Sequence, residues 1–272
     1  MKKFSRVLLY LIVTLGALTM LMPFLWMVST ALKTAPETIT VPPTWIPKSL
    51  QWGNFIKAWH EAPFARYFVN SLVVTTVTTV GQLFTSILAA FAFARLKFFG
   101  KNLIFVIFLG TMMIPGEMLI IPNFVTLSHL RLIDTYGALI IPWLASFFTV
   151  FTLRQTFQST PEQIYYAARM DGASDWRYLW HVLVPMSKST ITAVTVLQVI
   201  GSWNAFMWPL IVTNSDKMRT LPVGLQAFTT DAGTQYQLLM AASTFVIIPM
   251  VVLYVFLQKY IIAGISKAGL KG

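Results

Sequence analysis

The chain has 272 residues, of which 56% are hydrophobic and 11% charged, with a mean hydropathy of +0.69. A soluble globular domain carries about 25% charged residues, so these figures exclude that class and indicate an all-α integral membrane protein. The formal net charge is +11; in a membrane chain such an excess reads as the bias of basic residues toward one membrane face, not as a nucleic-acid footprint.

Taken in chain order, the apolar runs predict six membrane-spanning helices in a single domain, residues 1–272. Each is close to the roughly 20 residues that cross a hydrocarbon core about 30 Å thick. The first covers about 7–31, behind Met1-Lys2-Lys3-Phe4-Ser5-Arg6. Its apolar stretch runs well past the 7–15 or so residues of a secretion signal, so an uncleaved span is expected. Residues 33–66 follow, rich in proline (Pro36, Pro42, Pro43, Pro47, Pro63) and tryptophan (Trp45, Trp52, Trp59). That composition suits an irregular segment with aromatics at headgroup level. The second span is 67–94, in which Thr75, Thr76, Thr78, Thr79 and Ser86 read as helix–helix contacts. The third is 103–122, where Pro115 and Gly116 interrupt the helix beside Glu117, the sole acidic residue of any expected span. The fourth is 137–153, the fifth 190–212 and the sixth 238–262, with a polar loop at 213–237 before the last.

Thirteen basic residues fall on the N-terminus, the 95–102 loop, the 154–189 loop and the C-terminus, against seven on the opposite set of segments. The more basic set belongs in the cytoplasm, which places both termini inside a multi-pass protein of a bacterial-type plasma (inner) membrane. The loops 33–66 and 213–237 then face outward.

Chemistry-bearing clusters are sparse. Cysteine is absent, and His60, His129 and His181 lie far apart in sequence with no metal-ligand spacing. Gly100-Lys101 is followed by Asn102 and lacks the upstream glycine of a phosphate-binding loop. No catalytic or metal site and no bound cofactor are expected in this chain, and no nucleic-acid partner. Ionisable groups at membrane depth face cavities or partners, which makes Glu117 a candidate for a translocation path. Trp203, Asn204 and Trp208 in the fifth span offer one amide and two aromatic faces, groups that suit a sugar ring; ordinary helix packing is the competing reading.

The polar segment "STPEQIYYAARMDGASDWRYLWHVLVPMSKS" (159–189) has its own grammar. Thr160 is placed to cap a helix opening at Pro161, with Gln163 completing a capping box. Gly172 supplies a left-handed stop, and Ser174 caps a second helix that ends near Pro185. Ala167 and Ala168 leave a shallow spot among Arg169, Asp171, Asp175 and Arg177, where a partner can approach closely.

From Tyr166-Ala167-Ala168 the sequence continues with three residues, Gly172, nine residues and Val182-Leu183-Val184-Pro185. This resembles the E-A-A, three residues, G, nine residues, I-x-L-P pattern of permease subunits of binding-protein-dependent ABC importers. The Asp171-Gly172-Ala173 core resembles the carbohydrate branch, of the maltose-permease inner-subunit type. "MIPGEMLIIP" (113–122), "SWNAFMWPLI" (202–211), "TLPVGL" (220–225) and "GISKAGLKG" (264–272) are similar to further landmarks, so the likeness covers nearly the whole chain. Two departures stand out. Tyr166 occupies the family's glutamate position, with Glu162 one turn earlier as a substitute, and Ala205 stands where the family often has Asp.

The resemblance implies the type I ABC importer permease fold of six transmembrane helices with a cytoplasmic coupling helix. It implies a homologous second permease subunit, two ATPase subunits carrying ATP and magnesium, an extracytoplasmic substrate-binding protein, and a surround of membrane lipid. Glu162, Tyr166, Ala167, Ala168, Asp171, Gly172, Ala173 and Pro185 become the expected ATPase-coupling residues. The loop 213–237 becomes the expected contact for the binding protein. A sugar or oligosaccharide is the expected substrate. Glycerol-3-phosphate is the alternative, disfavoured because no basic residue lies clearly inside a span. A secondary transporter or a membrane-embedded enzyme ranks lower.

Overall fold

A computed structural model describes residues 2–230 and 233–269, and almost every element in it is helical. Three helices are long and apolar enough to cross a membrane: Arg6–Ala31, Phe64–Arg95 and Tyr236–Phe256. Three bent pairs of helices pass the same test together, which makes up to six spans when each pair counts as one. The chain divides into two compact units, Met1–Arg66 with Leu221–Val251, and Tyr67–Thr220 with Val252–Gly272.

In the first unit, α1 (Lys2–Ala31) ends in a built polar cap. The Asn54 side-chain amide donates to the carbonyls of Ala31 and Lys33, each at 2.8 Å, which serves acceptors that a helix end leaves orphaned. The Lys33 ammonium is buried, donates to the Thr44 carbonyl and lies 4.0 Å over the Trp26 ring. Burial pulls its pKa down, and nearby Glu37 pushes it back up. The expected irregular segment therefore has internal order, including α2 (Ala35–Thr38) and α3 (Gly53–Glu61). Trp59 packs edge-on against Phe245 with ring centroids 5.2 Å apart, and Phe64 stacks on Phe228. The loop before the last span carries α14 (Leu221–Gly224) and a two-stranded hairpin, β1 (Thr229–Thr230) with β2 (Gly233–Thr234). It leads into α15 (Tyr236–Gly269); the sequence's C-terminal landmark runs on to 272, beyond the described residues.

In the second unit, α4 (Phe64–Arg95) carries a buried polar stripe of Asn70, Ser71, Thr75, Thr78, Thr79, Gln82 and Ser86. Their spacing of three and four residues keeps them on one helical face; Thr76, off that face, is exposed. Gln82 Nε2 donates to Thr149 Oγ1 at 3.3 Å across to a neighbouring helix. An apolar core of Phe91, Phe93, Phe105, Leu153, Phe157, Leu179 and Leu183 fills the other end of the unit.

Several expected spans are broken where the chain loses backbone donors. α5 (Lys101–Thr111) and α6 (Ile120–His129) meet at a 94° bend around Met112–Pro115 and a 3₁₀ turn at Gly116–Leu119. α7 (Tyr136–Ile140) tightens to a 3₁₀ turn at Ile141–Trp143, where Pro142 lacks an N–H. α8 (Phe147–Ser159) then restarts at a 40° angle, with Ser146 Oγ accepting from the Thr149 N–H. Helix therefore extends to 129 and 159, past the limits of 122 and 153 read from hydropathy, because both extensions are polar enough to hide from an apolar count.

Candidate functional site

α12 (Lys188–Trp203) and α13 (Met207–Val212) are separated by Asn204-Ala205-Phe206. The break leaves a cavity of about 260 Å³ lined by Ser71, Val74, Thr78, Leu139, Trp143, Gln198, Gly201, Ser202, Ala205, Trp208, Pro209 and Thr220. Trp208 is buried and its indole N–H donates to the Ala138 carbonyl at 3.0 Å, which fixes the ring. Trp143 meets it edge-on at 6.2 Å. The Thr78 and Thr220 hydroxyls are buried without a protein partner. Buried polar groups are ordinarily paired; these two oxygens lie beneath the cavity wall, which also carries the polar side chains of Ser71, Gln198 and Ser202. None of the twelve lining residues is charged.

Of the residues read from sequence as a translocation path, only Trp208 lines this cavity. Trp203 packs edge-on against Phe68 at 5.8 Å. Asn204 closes the end of α12, its amide donating to the Ile200 carbonyl at 3.0 Å. Glu117 sits exposed in the 3₁₀ turn between α5 and α6. From sequence Thr78 reads only as a helix–helix contact, and Trp143 and Thr220 have no site role, since the three come from segments that only the fold brings together.

A second set of polar bonds orders the loops beside the cavity's Thr220. The Asp134 carboxylate accepts from the N–H groups of Asn214 at 2.9 Å and Ser215 at 3.1 Å. Asn70 donates to the carbonyls of Lys217 and Arg219 and accepts from the Tyr136 hydroxyl. Burial pushes the Asp134 carboxyl up, but hydrogen bonds from Ser215 and Asn214 and the charge of Arg219 outweigh it and hold it below 3.8.

The 160–187 loop is a helix, a turn and a second helix. α9 (Glu162–Met170) opens at Pro161 with no side-chain cap. The expected capping box of Thr160 and Gln163 is not formed: Thr160 is buried at the end of α8, and its carbonyl accepts from the Arg95 guanidinium. The C-terminal end matches expectation. Gly172 has φ +79°, its N–H donates to Arg169, and the Ala173 N–H donates to Ala168 at 2.9 Å. That pair of bonds is a Schellman stop. Ser174 Oγ accepts from the Arg177 N–H and caps α10 (Asp175–Tyr178). The second helix ends at Met186, one residue past Pro185, in line with expectation. A π-helical stretch, Leu179–Leu183, widens the turn ahead of the proline and relieves its clash with the carbonyl four residues back, so α11 (Val184–Met186) continues the run.

The two alanines part company. Ala168 packs with Ile164 and Tyr165 against the apolar core, whereas Ala167 faces outward with Glu162, Tyr166 and Asp171. Tyr165, which sequence reading passed over, ties the helices together. Its hydroxyl donates to Asp175 at 2.8 Å, and its ring meets Tyr178 edge-on at 5.0 Å. Burial raises the Tyr165 pKa, with the Asp175 bond adding to it.

The helical architecture and this loop define a class, the membrane-embedded subunit of a transport system, and comparison with known proteins agrees. The chain belongs to the family of binding-protein-dependent transport system inner membrane components, which residues 82–267 match. Among its relatives is the arabinooligosaccharides transport system permease protein AraQ of Bacillus subtilis (strain 168), 37% identical over 83% of this chain and 81% of that protein. The sn-glycerol-3-phosphate transport system permease protein UgpE of Yersinia pestis bv. Antiqua (strain Antiqua) is 32% identical over 94% of both chains. The fold is shared with a chain of a bacterial ABC transporter involved in the import of the acidic polysaccharide alginate. That match has a TM-score of 0.83 at 22% identity, covering 95% of this chain and 96% of the other. The protein is thus a multi-pass ABC transport permease of the type I importer fold.

Proposed function

We propose that the chain is the transmembrane subunit of an ATP-driven importer that moves a neutral sugar or oligosaccharide handed over by an extracytoplasmic binding protein. The observation that carries the substrate class is the cavity lining: two tryptophan rings, the polar residues Ser71, Thr78, Gln198, Ser202 and Thr220, and no charge. Hydroxyls and aromatic faces suit a polyol, whereas a phosphate ester taken from water requires a cation or several strong donors. The name of AraQ favours a saccharide. UgpE, a glycerol-3-phosphate permease, keeps the alternative in play, and the uncharged lining weighs against it.

Coupling runs through the 154–189 loop. Glu162, Tyr166, Ala167 and Asp171 form the outward face that docks on an ATPase subunit, while Ala168, Gly172, Ala173 and Pro185 set its shape and angle. Two ATPase subunits hold the ATP and magnesium, a homologous permease completes the pathway, and both termini lie in the cytoplasm of a bacterial-type plasma membrane. The chain itself binds no cofactor and hydrolyses nothing. The 213–237 loop meets the binding protein.

The test is reconstitution of the complete transporter in liposomes, with ATP-dependent uptake of labelled arabino-oligosaccharides measured against sn-glycerol-3-phosphate. The oligosaccharide is the expected cargo. Trp208→Ala lowers its uptake about ten-fold, equivalent to losing an aromatic contact of about 1.4 kcal/mol. Faster uptake of glycerol-3-phosphate overturns the substrate class, and uptake without ATP overturns the importer class.

A further inference from the structure

The turn from α4 into α5, Arg95-Leu96-Lys97-Phe98-Phe99-Gly100-Lys101, concentrates three cations. Arg154 of α8 adds a fourth, and both guanidinium groups repel the Lys101 ammonium. Their hydrogen bonds end on neutral carbonyls. Arg95 Nη2 donates to Phe157 at 2.7 Å and to Thr160, Lys101 Nζ donates to Leu96 at 2.9 Å, and Arg154 Nε donates to Phe93 at 3.2 Å. The ion pairs Arg169–Asp175 and Arg219–Asp216 both lie outside this group of four. No Asp or Glu occurs in the sequence between Glu61 and Glu117, or between Asp134 and Glu162. Like charges gathered at the edge of an apolar core, with dipoles but no counter-charge, attract an anion.

The shape of the turn says which anion. A recess of about 390 Å³ lies between Lys97, Lys101 and Asn102, walled by Leu96, Phe98 and Leu103. Phe99 at the tip is fully exposed, and the outward face of α5 continues apolar through Leu103, Val106 and Ile107, all more than half exposed. Cations over a recess, with aromatics beside them and an unpartnered apolar helix face leading away, match a headgroup above its acyl chains.

We propose that this turn is a specific binding site for the phosphodiester headgroup of an anionic phospholipid, held by Lys97 and Lys101, with Arg95 and Arg154 supplying the field behind them. An acidic protein surface fits the four cations as well, but it leaves the apolar face of α5 uncovered. Arg95 also bonds the carbonyls of Phe157 and Thr160, at the threshold of the 160–187 loop, so a bound lipid sits against the base of that loop.

Native mass spectrometry of the intact transporter, released from nanodiscs of phosphatidylcholine doped with phosphatidylglycerol, tests the site. Phosphatidylglycerol is expected to stay on the wild type. The variant Lys97→Gln/Lys101→Gln is expected to weaken retention about thirty-fold, roughly five-fold per lysine near an anionic lipid. Lys97→Arg/Lys101→Arg retains the lipid, as does Arg177→Gln, a cation removed elsewhere on the loop, and size-exclusion profiles confirm assembly of each variant. Equal retention by the glutamine variant, or of phosphatidylcholine, overturns the proposal. So does displacement by excess inorganic phosphate, which indicates a free-anion site. Protection of both lysines from acetylation by the ATPase subunits, with no lipid co-eluting, overturns it in favour of a protein partner.

Discussion

Two interruptions of the apolar chain, the 160–187 loop and the break at Asn204-Ala205-Phe206, solve the same problem by opposite means. In the loop, backbone and side-chain groups are answered close by: Gly172 and Ala173 close α9, Ser174 opens α10, and Tyr165 reaches Asp175. What remains bare is an outer face made by Glu162, Tyr166, Ala167 and Asp171, exposed among the described residues. At the break, the hydroxyls of Thr78 and Thr220 have no protein partner and a cavity persists beside these residues. A closed local motif holds a surface rigid for a partner, and an open polar gap in apolar surroundings keeps a place for a ligand.

The contrast breaks most visibly at Gly172. A Cβ added there meets nothing within 4 Å, so any cost of substitution comes from the backbone alone, at φ +79°. A β-branched residue forced into that region costs of order 1–3 kcal/mol. Gly172→Val is therefore expected to reorient the end of α9 and cut ATP-driven uptake more than ten-fold, with the amount of protein in the membrane unchanged. Gly172→Asn, better tolerated in the left-handed region, retains most uptake. Normal transport by the valine variant ends the reading of this loop as a transmitting element.

Next in size is Asp134, which does for two distant loops what Ser174 does for one turn. Asp134→Ala leaves the N–H groups of Asn214 and Ser215 without their acceptor. The expected loss is about 1–2 kcal/mol, at the low end for charge-assisted bonds because the carboxylate is partly exposed. Its folded pKa lies below the ordinary 3.8. The stabilisation is therefore present above that value and fades as pH falls through the lower folded pKa. Thermal melts in detergent at neutral pH and below pH 3.8 check the sign: the wild type loses stability toward acid, and Asp134→Ala loses less.

What was legible in the sequence follows the same division. Gly172 and Ser174 could be read because a Schellman stop and a serine cap act over three to five residues. Thr160 was misread because its carbonyl serves Arg95, a partner far along the chain. The alanine pair reads from sequence as one spot, but only Ala167 faces out, since the packing of Ala168 depends on a core assembled from five other segments. Near the cavity, Trp203 and Trp208 look alike in sequence. Their fates differ because the chain breaks between them, and no local signal at Asn204 or Ala205 announces the break. Thr220 and Thr78 meet only through the fold. Hydropathy finds the apolar runs; proline and glycine positions show two of the bends, at Pro115-Gly116 and, through the stop near Pro185, at Ser187 where α12 departs at 80°, and not the 40° bend between Trp143 and Phe147.

The finest distinction lies within α9. Tyr165 and Tyr166 are neighbours with unrelated tasks: the first is held by Asp175 and Tyr178, and the second is 55% exposed on the outward face. Glu162 shares that face, one turn before Tyr166. On the proposed docking of this face on an ATPase, with tyrosine at the position of the family's glutamate, Glu162 is the carboxylate placed to meet a cationic or donor group. Glu162→Gln keeps the shape and removes the charge, so coupled ATPase activity should fall by about two- to five-fold, the size of one solvent-exposed ion pair. Tyr165→Phe supplies the contrast. It deletes a hydrogen bond worth about 1 kcal/mol but keeps the ring on Tyr178 and leaves the outward face untouched. That variant should lower the melting temperature with coupling per folded molecule preserved. Its hydroxyl, with a pKa raised above 10, contributes only while protonated, so the wild type's advantage over Tyr165→Phe should hold below pH 10 and vanish as the pH climbs through the folded pKa. Unchanged ATPase activity in Glu162→Gln removes the carboxylate from the contact and leaves Tyr166 and Ala167 to make it by packing alone.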